Sequence, residues 1–122
     1  MINIAIIDDE LEIRELLENA MMDEFYSITR VFKFAKIKEY NEVIEHWNVI
    51  FLDYNISESI KGVDIAREII KREQSDKICI ITGESKEIIK KLLSKNGLEC
   101  EVIEKGTIEF LDDVLDIVEE LC

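Results

Sequence analysis

The sequence predicts an α/β protein, a doubly wound (βα)5 parallel sheet with helices on both faces. Three observations carry that expectation. Short apolar runs alternate with helical patterns at intervals of roughly 20–25 residues, the rhythm of βα units. The runs are continuous rather than alternating, as strands buried on both faces require. Two of them, Ile4–Ile7 and Val49–Leu52, stop on the carboxylates Asp8 and Asp53 with no proline or glycine to end them. Ligands of such sheets bind outside the carboxyl ends of the strands, so paired endings of this kind point to a site.

Each element follows in order. Ile2–Ile7 reads as the first strand, and Ile13, Leu16, Leu17, Ala20 and Met21 form one face of a helix through about Asp23. Ser27–Lys33, with its β-branched and aromatic residues, reads as the second strand. Ile37, Tyr40, Ile44 and Trp47 are spaced as a helical stripe, with Trp47 partly buried, and Val49–Leu52 is the third strand. Val63, Ala66, Ile69 and Ile70 mark a helix to about Glu73, and Lys77–Ile81 is the fourth strand. Ser85 suits the N-cap of a helix carrying Ile88, Ile89, Leu92 and Leu93, which Gly97 stops. Cys100–Ile103 is a short fifth strand, and Thr107 is placed to cap a last helix bearing Ile108, Leu111, Leu115, Val118 and Leu121. Gly83 reads as a position of close backbone approach or positive φ.

The 122 residues suit one domain over 1–122, and 48% hydrophobic content is enough to build a core. A net charge of −13, from 15 basic against 28 acidic residues, argues against direct nucleic-acid binding, because phosphates would repel the chain. Cys79, Cys100 and Cys122 form no CxxC pair and read as reduced thiols. No basic leader precedes the first strand, and no apolar run reaches the ~18–20 residues of a membrane span. A soluble cytoplasmic protein is expected.

Function rests on the polar residues at the strand ends. Strand one ends in Asp8 and Asp9, strand three in Asp53, strand four in Thr82, and strand five near Lys105. Taken singly, each has an ordinary explanation: acids favour the first turn of a helix, and threonines and lysines commonly end strands. Together they place three carboxylates, a hydroxyl and an ammonium on one rim. Carboxylates so crowded raise one another's pKa unless a cation sits among them, and all-oxygen ligands suit Mg²⁺ rather than zinc. A carboxylate flanked by Mg²⁺, a lysine and a hydroxyl is well placed to accept a phosphoryl group.

This constellation resembles the receiver domain of bacterial two-component response regulators, over the whole chain and in a flavodoxin-like fold. "IAIIDDELEIRELL" is similar to a receiver opening, and "IITGES" and the helix start at Gly62-Val63-Asp64 agree with it. The resemblance implies that Asp53 is the phosphoacceptor, with Thr82 and Lys105 completing the catalytic set. It further implies that Asp8, Asp9, Asp53 and the backbone carbonyl of Asn55 hold Mg²⁺, and that Asn55 and Glu84 modulate the lifetime of the phosphoryl group. A histidine kinase or phosphotransfer protein would donate phosphate. A downstream protein would dock on the face of the fourth helix, fifth strand and fifth helix, where Lys86, Lys90, Lys91 and Lys95 interrupt the acidic surface. The chain would be no enzyme beyond its own phosphorylation and dephosphorylation, and it would act as a stand-alone receiver.

Four departures from the family pattern concern signalling rather than chemistry. Ser57 stands where a proline is usual, the loop from Asp53 to Gly62 is one residue longer than is usual in the family, Gly106 replaces a proline after Lys105, and Val102 replaces an aromatic switch residue. They support one alternative, a degenerate receiver that binds its partner without phosphorylation. Enzyme readings fare worse. A haloacid-dehalogenase-type phosphatase needs DxD where this chain has "DDE", and a flavodoxin needs a Ser/Thr/Gly-rich loop that is absent after strand one.

Overall fold

A computed structural model describes residues 1–56 and 61–122; the expectations for Ser57 and for the length of the loop before Gly62 lie outside the described residues. The elements are β1 (Ile2–Ile7), α1 (Leu11–Phe25), β2 (Thr29–Phe34), α2 (Ile37–Asn41), β3 (Val49–Asp53), α3 (Gly62–Lys71), β4 (Ile78–Thr82), α4 (Lys86–Lys95), β5 (Glu101–Glu104) and α5 (Phe110–Glu120). The strands form one sheet in the order β2-β1-β3-β4-β5, with every pairing parallel. Strand order reverses at β1, so a crevice opens at the carboxyl ends of β1 and β3.

The continuous apolar runs have the physical meaning expected of them. In β1 and β3, Ile4, Ala5, Ile6, Ile7, Val49, Ile50, Phe51 and Leu52 have no exposed surface. Alternate residues serve opposite layers. Ala5, Ile7, Ile50, Leu52, Ile80 and Val102 pack with Tyr40 of α2, Ile65 and Ile69 of α3, and Ile89 and Leu93 of α4. Ile4, Ile6, Phe51 and Ile81 pack on the other side with Leu17 and Met21 of α1 and Phe110 and Val114 of α5. Each such Val, Ile, Leu or Phe contributes about 1.5–3 kcal/mol by leaving water. Among the described residues, no helix is long and apolar enough to cross a membrane.

Gly97 stops α4 as predicted. Its φ is +73°, its N–H donates to Ser94 O at 3.0 Å, and Leu98 N–H donates to Leu93 O at 2.9 Å. The same two-bond arrangement ends α3 around Glu73, a non-glycine residue at φ +54°. Gly62 has a different task. A Cβ there would lie 2.9 Å from Tyr54 Cα, and Gly62 N–H donates to Tyr54 O at 2.7 Å, which binds the start of α3 to the end of β3.

Three expectations are corrected. The second helix ends at Asn41, so Ile44 and Trp47 are not on it: Ile44 is 99% exposed, whereas Trp47 is fully buried and bridges Ser75 in parallel. Thr107 does not cap α5, which begins at Phe110 after Glu109; the Thr107 hydroxyl donates to Glu104 O at 3.2 Å, and Ile108 is 96% exposed. Gly83 has no positive φ, and a Cβ there would meet nothing within 4 Å, so neither reason given for it holds.

Candidate functional site at the carboxyl ends of the strands

The strands deliver the predicted residues to one rim. Asp8 directly follows β1, Asp53 and Thr82 are the last residues of β3 and β4, and Lys105 directly follows β5. Asp8, Asp53 and Thr82 are buried polar groups, whereas Asp9 is exposed.

Lys105 joins the outer strand to the crevice. Its ammonium lies 2.7 Å from Asp8 Oδ2, 3.3 Å from Asp53 Oδ1 and 3.5 Å from Glu10 Oε1, with the side chain only 10% exposed. The backbone holds it there, since Lys105 N–H donates to Thr82 O at 2.8 Å. Two further contacts fix Asp8. Its Oδ1 accepts from Glu10 N–H at 2.9 Å, and Arg14 Nη1 donates to its carbonyl at 2.8 Å.

The electrostatics follow from burial. Desolvation raises the pKa of Asp8 despite the contacts with Lys105 and Glu10 N–H that lower it. For Asp53, desolvation first and the Asp8 charge second push the pKa up to about 6, against the opposing pull of Lys105. Burial alone would lower the pKa of Lys105, but its contact with Asp8 and the charges of Asp53, Asp8 and Glu10 outweigh that and raise it. The Lys105 ammonium thus serves three carboxylates, Asp8, Asp53 and Glu10.

The residues fit a cation. Asp8 Oδ2 is buried without a hydrogen bond of good geometry, and the Lys105 ammonium is its charged neighbour. Carboxylate oxygens of Asp8, Asp9 and Glu10 come within 4.8 Å of one another. That trio differs from the expected grouping: Glu10 joins Asp8 and Asp9, and Asp53 stands across the Lys105 ammonium from Asp8. Such an oxygen-only set suits a hard divalent ion.

Two predicted residues meet close to Asp53, whose Oδ1 accepts from Asn55 N–H at 3.4 Å. Asn55 Nδ2 donates to Glu84 Oε2 at 2.9 Å, and Lys61 Nζ donates to Asn55 Oδ1 at 3.3 Å. Thr82 uses its hydroxyl locally, accepting from Glu84 N–H at 2.9 Å. A cleft of about 560 Å³, lined by Ser75, Lys77, Leu93, Cys100 and Glu101 among others, lies at the opposite end of the strands and holds none of these groups.

Sequence reasoning missed Glu10, Arg14 and Glu104. Glu10 was visible in "DDE" but reads there as a helix-start acid. Arg14 carried a usable signal, because one turn into α1 it faces back toward the strand end. Glu104, whose Oε1 accepts from Lys86 N–H at 2.6 Å, gave no signal in the sequence, since the contact spans 18 positions.

Fold and rim together define a doubly wound parallel α/β protein with an acidic strand-end site. Residues 4–106 match the family model described as the response regulator receiver domain, and the chain belongs to that family. Among curated proteins, none matches it in sequence. Solved structures match it in fold. TrrA of Thermotoga maritima, in complex with Mg²⁺-BeF, is 25% identical with a TM-score of 0.78, and all of both chains is covered. The chemotaxis response regulator CheY4 of Vibrio cholerae is 16% identical with a TM-score of 0.75, covering 100% of this chain and 99% of its own. DrrB, an OmpR/PhoB homolog of Thermotoga maritima, is 20% identical with a TM-score of 0.78; 99% of this chain aligns, but it spans only 52% of DrrB.

Proposed function

We propose that residues 1–122 form one receiver domain that takes a phosphoryl group onto Asp53, in a Mg²⁺-dependent step, from a phosphohistidine of a histidine kinase or phosphotransfer protein. Lys105 is the observation that carries this reading. Its ammonium lies within 3.3 Å of Asp53 Oδ1 and 2.7 Å of Asp8 Oδ2 at the topological switch point. A pKa of about 6 leaves Asp53 mostly ionised at neutral pH, as a nucleophile must be. Its carboxylate oxygen attacks phosphorus, the new P–O bond forms as the P–N bond breaks, and the electron pair leaves with the imidazole nitrogen. Lys105 neutralises charge on the phosphoryl oxygens, and the Thr82 hydroxyl donates to one of them. Asp8, Asp9, Asp53 and the Asn55 carbonyl would hold Mg²⁺, which supplies further neutralising charge there. Asn55 and Glu84, hydrogen-bonded to each other at 2.9 Å, would govern access of water to the acyl phosphate and so its lifetime.

The output is a change in affinity for a downstream protein, docked on the face of α4, β5 and α5 where Lys86, Lys90, Lys91 and Lys95 stand on a chain of net charge −13. The same charge disfavours nucleic acid as a direct partner. Free thiols at Cys79, Cys100 and Cys122 suit the cytoplasm.

Acetyl phosphate with Mg²⁺ tests the reaction. A single phosphoryl adduct, stable in acid and labile to hydroxylamine, is expected on the wild type and absent from Asp53→Asn. The alternative, a binding module that works without phosphorylation, draws support from Val102, a buried β-branched residue with no polar tip to swing. It predicts no adduct and equal partner binding by the wild type and Asp53→Asn.

A further inference from the structure

The segment from Thr82 to Lys86 is held at both ends. At one end Thr82 Oγ1 accepts from Glu84 N–H at 2.9 Å; at the other Glu104 Oε1 accepts from Lys86 N–H at 2.6 Å. The second bond takes over a task left vacant, because Ser85 occupies the N-cap of α4 without making a side-chain cap. It joins a carboxylate to the positive end of a ten-residue helix, a favourable charge-assisted contact. Glu104 is itself rigidly placed: it pairs in register with Thr82, and the next residue donates from its backbone to Thr82 O. Gly83, with open space around its Cα, lies between the anchors and adds no side-chain restraint.

We propose that Glu104 is a latch that holds the β4–α4 turn and the start of α4 in the unphosphorylated arrangement. The inference rests on the reading of Asp53 as phosphoryl acceptor and adds a positioning residue to it. Sheet order supplies the mechanism. β4 lies between β3 and β5, so a Thr82 hydroxyl drawn toward a phosphoryl group on Asp53 moves toward β3 and away from Glu104. The turn that follows Thr82 moves with it, and the Glu104 to Lys86 bond must lengthen or break. The latch therefore opposes phosphoryl-state binding while leaving the metal ligands untouched. With Val102 in place of an aromatic switch, the turn and this bond are the route by which the state of Asp53 reaches α4.

Beryllium fluoride, the phosphoryl mimic, tests the latch in the full chain. Wild type, Glu104→Ala and Glu104→Gln are titrated by backbone NMR, first with Mg²⁺ alone and then with beryllium fluoride at saturating Mg²⁺. Glu104→Ala should bind beryllium fluoride roughly five- to tenfold tighter, the size of one lost charge-assisted bond opposing the transition. Its Mg²⁺ affinity should stay within about twofold, since all ligands remain. Glu104→Gln, which keeps an acceptor and loses the charge, should fall between. Amide exchange at Lys86 to Ile88 should quicken in Glu104→Ala without mimic. A structural role alone would lower overall stability without this split between the two ligands. Equal or weaker beryllium fluoride binding by Glu104→Ala, with a wild type that binds through Asp53, overturns the latch and leaves the acceptor reading standing. A wild type that shows no Asp53-dependent binding overturns the acceptor reading and the latch with it.

Discussion

At the scale of single residues, Asp53 carries its charge where burial and the Asp8 carboxylate both resist it, and its pKa stands at about 6. The sign of the stability effect follows. The folded state binds the Asp53 proton more tightly than the unfolded chain does, so stability is fully present below the ordinary aspartate value of 3.8 and is lost as pH rises through about 6. Asp53→Asn removes that loss. In Mg²⁺-free buffer at pH 7 it should stabilise the fold by about 1–3 kcal/mol in urea unfolding, and by much less at pH 4. An equal gain at both pH values would mean that the carboxylate charge is not the cause. Lys105→Met should act in the opposite direction. It strands Asp8 and Asp53 without their counter-ion, and breaking a buried pair on one side costs about 3–5 kcal/mol. Millimolar Mg²⁺ should restore part of that loss, because a divalent ion takes over the neutralisation.

Among the elements, α2 shows where sequence pattern and structure part. Ile37, Tyr40, Ile44 and Trp47 fit a helical period, yet the helix stops at Asn41. Trp47 is claimed by other partners: its N–H donates to Gln74 O, its carbonyl accepts from Asp76 N–H, both at 2.9 Å, and its ring meets Phe32 and Phe34 edge-on. Continuing the helix would forfeit those contacts two residues before β3 begins. No local period encodes them, because the partners lie far along the chain. Thr107 fails for a related reason. Phe110 is buried and anchors α5 with Val114, Ile117 and Val118, whereas Ile108 of the predicted stripe faces water. The strands were legible because continuous burial needs continuous apolar sequence, and Asp8, Asp53, Thr82 and Lys105 were legible because each follows or ends such a run. Glu104 was not, since its role is set by tertiary reach across 18 positions, whereas Arg14, six residues from Asp8, left a local signal that went unused. Substitutions at the misread positions separate the two outcomes. Trp47→Ala should cost about 3–5 kcal/mol, as deletion of a buried aromatic does, while Ile44→Ser should change stability by less than about 0.5 kcal/mol. Glu73→Gly should stabilise by about 0.5–1 kcal/mol, since glycine removes the strain of the left-handed backbone that ends α3.

The molecule as a whole is polarised along its strands. One end of the sheet gathers carboxylates around Lys105; the other is closed by ties such as Trp47 to Ser75 and His46 to Asp76. A chain of net charge −13 with Asp8, Asp9, Glu10 and Asp53 on one rim raises the local concentration of cations there, and burial of Asp8 and Asp53 makes neutralisation worth more than in water. A divalent ion that binds only the folded chain stabilises it by mass action. With a dissociation constant of ~1 mM, as a partly hydrated carboxylate site implies, 10 mM Mg²⁺ adds about 1.4 kcal/mol to the unfolding free energy. Thermal unfolding at constant ionic strength measures this, with potassium chloride making up the balance so that general screening is held fixed. The Mg²⁺ increment should be largely lost in the double variant Asp9→Asn with Asp53→Asn, which leaves too few carboxylates to hold the ion. Reversing the charge of a distant acid such as Glu119 should leave the increment intact. If the double variant gains as much from Mg²⁺ as the wild type, the ion acts on the diffuse negative surface and not at the strand-end rim.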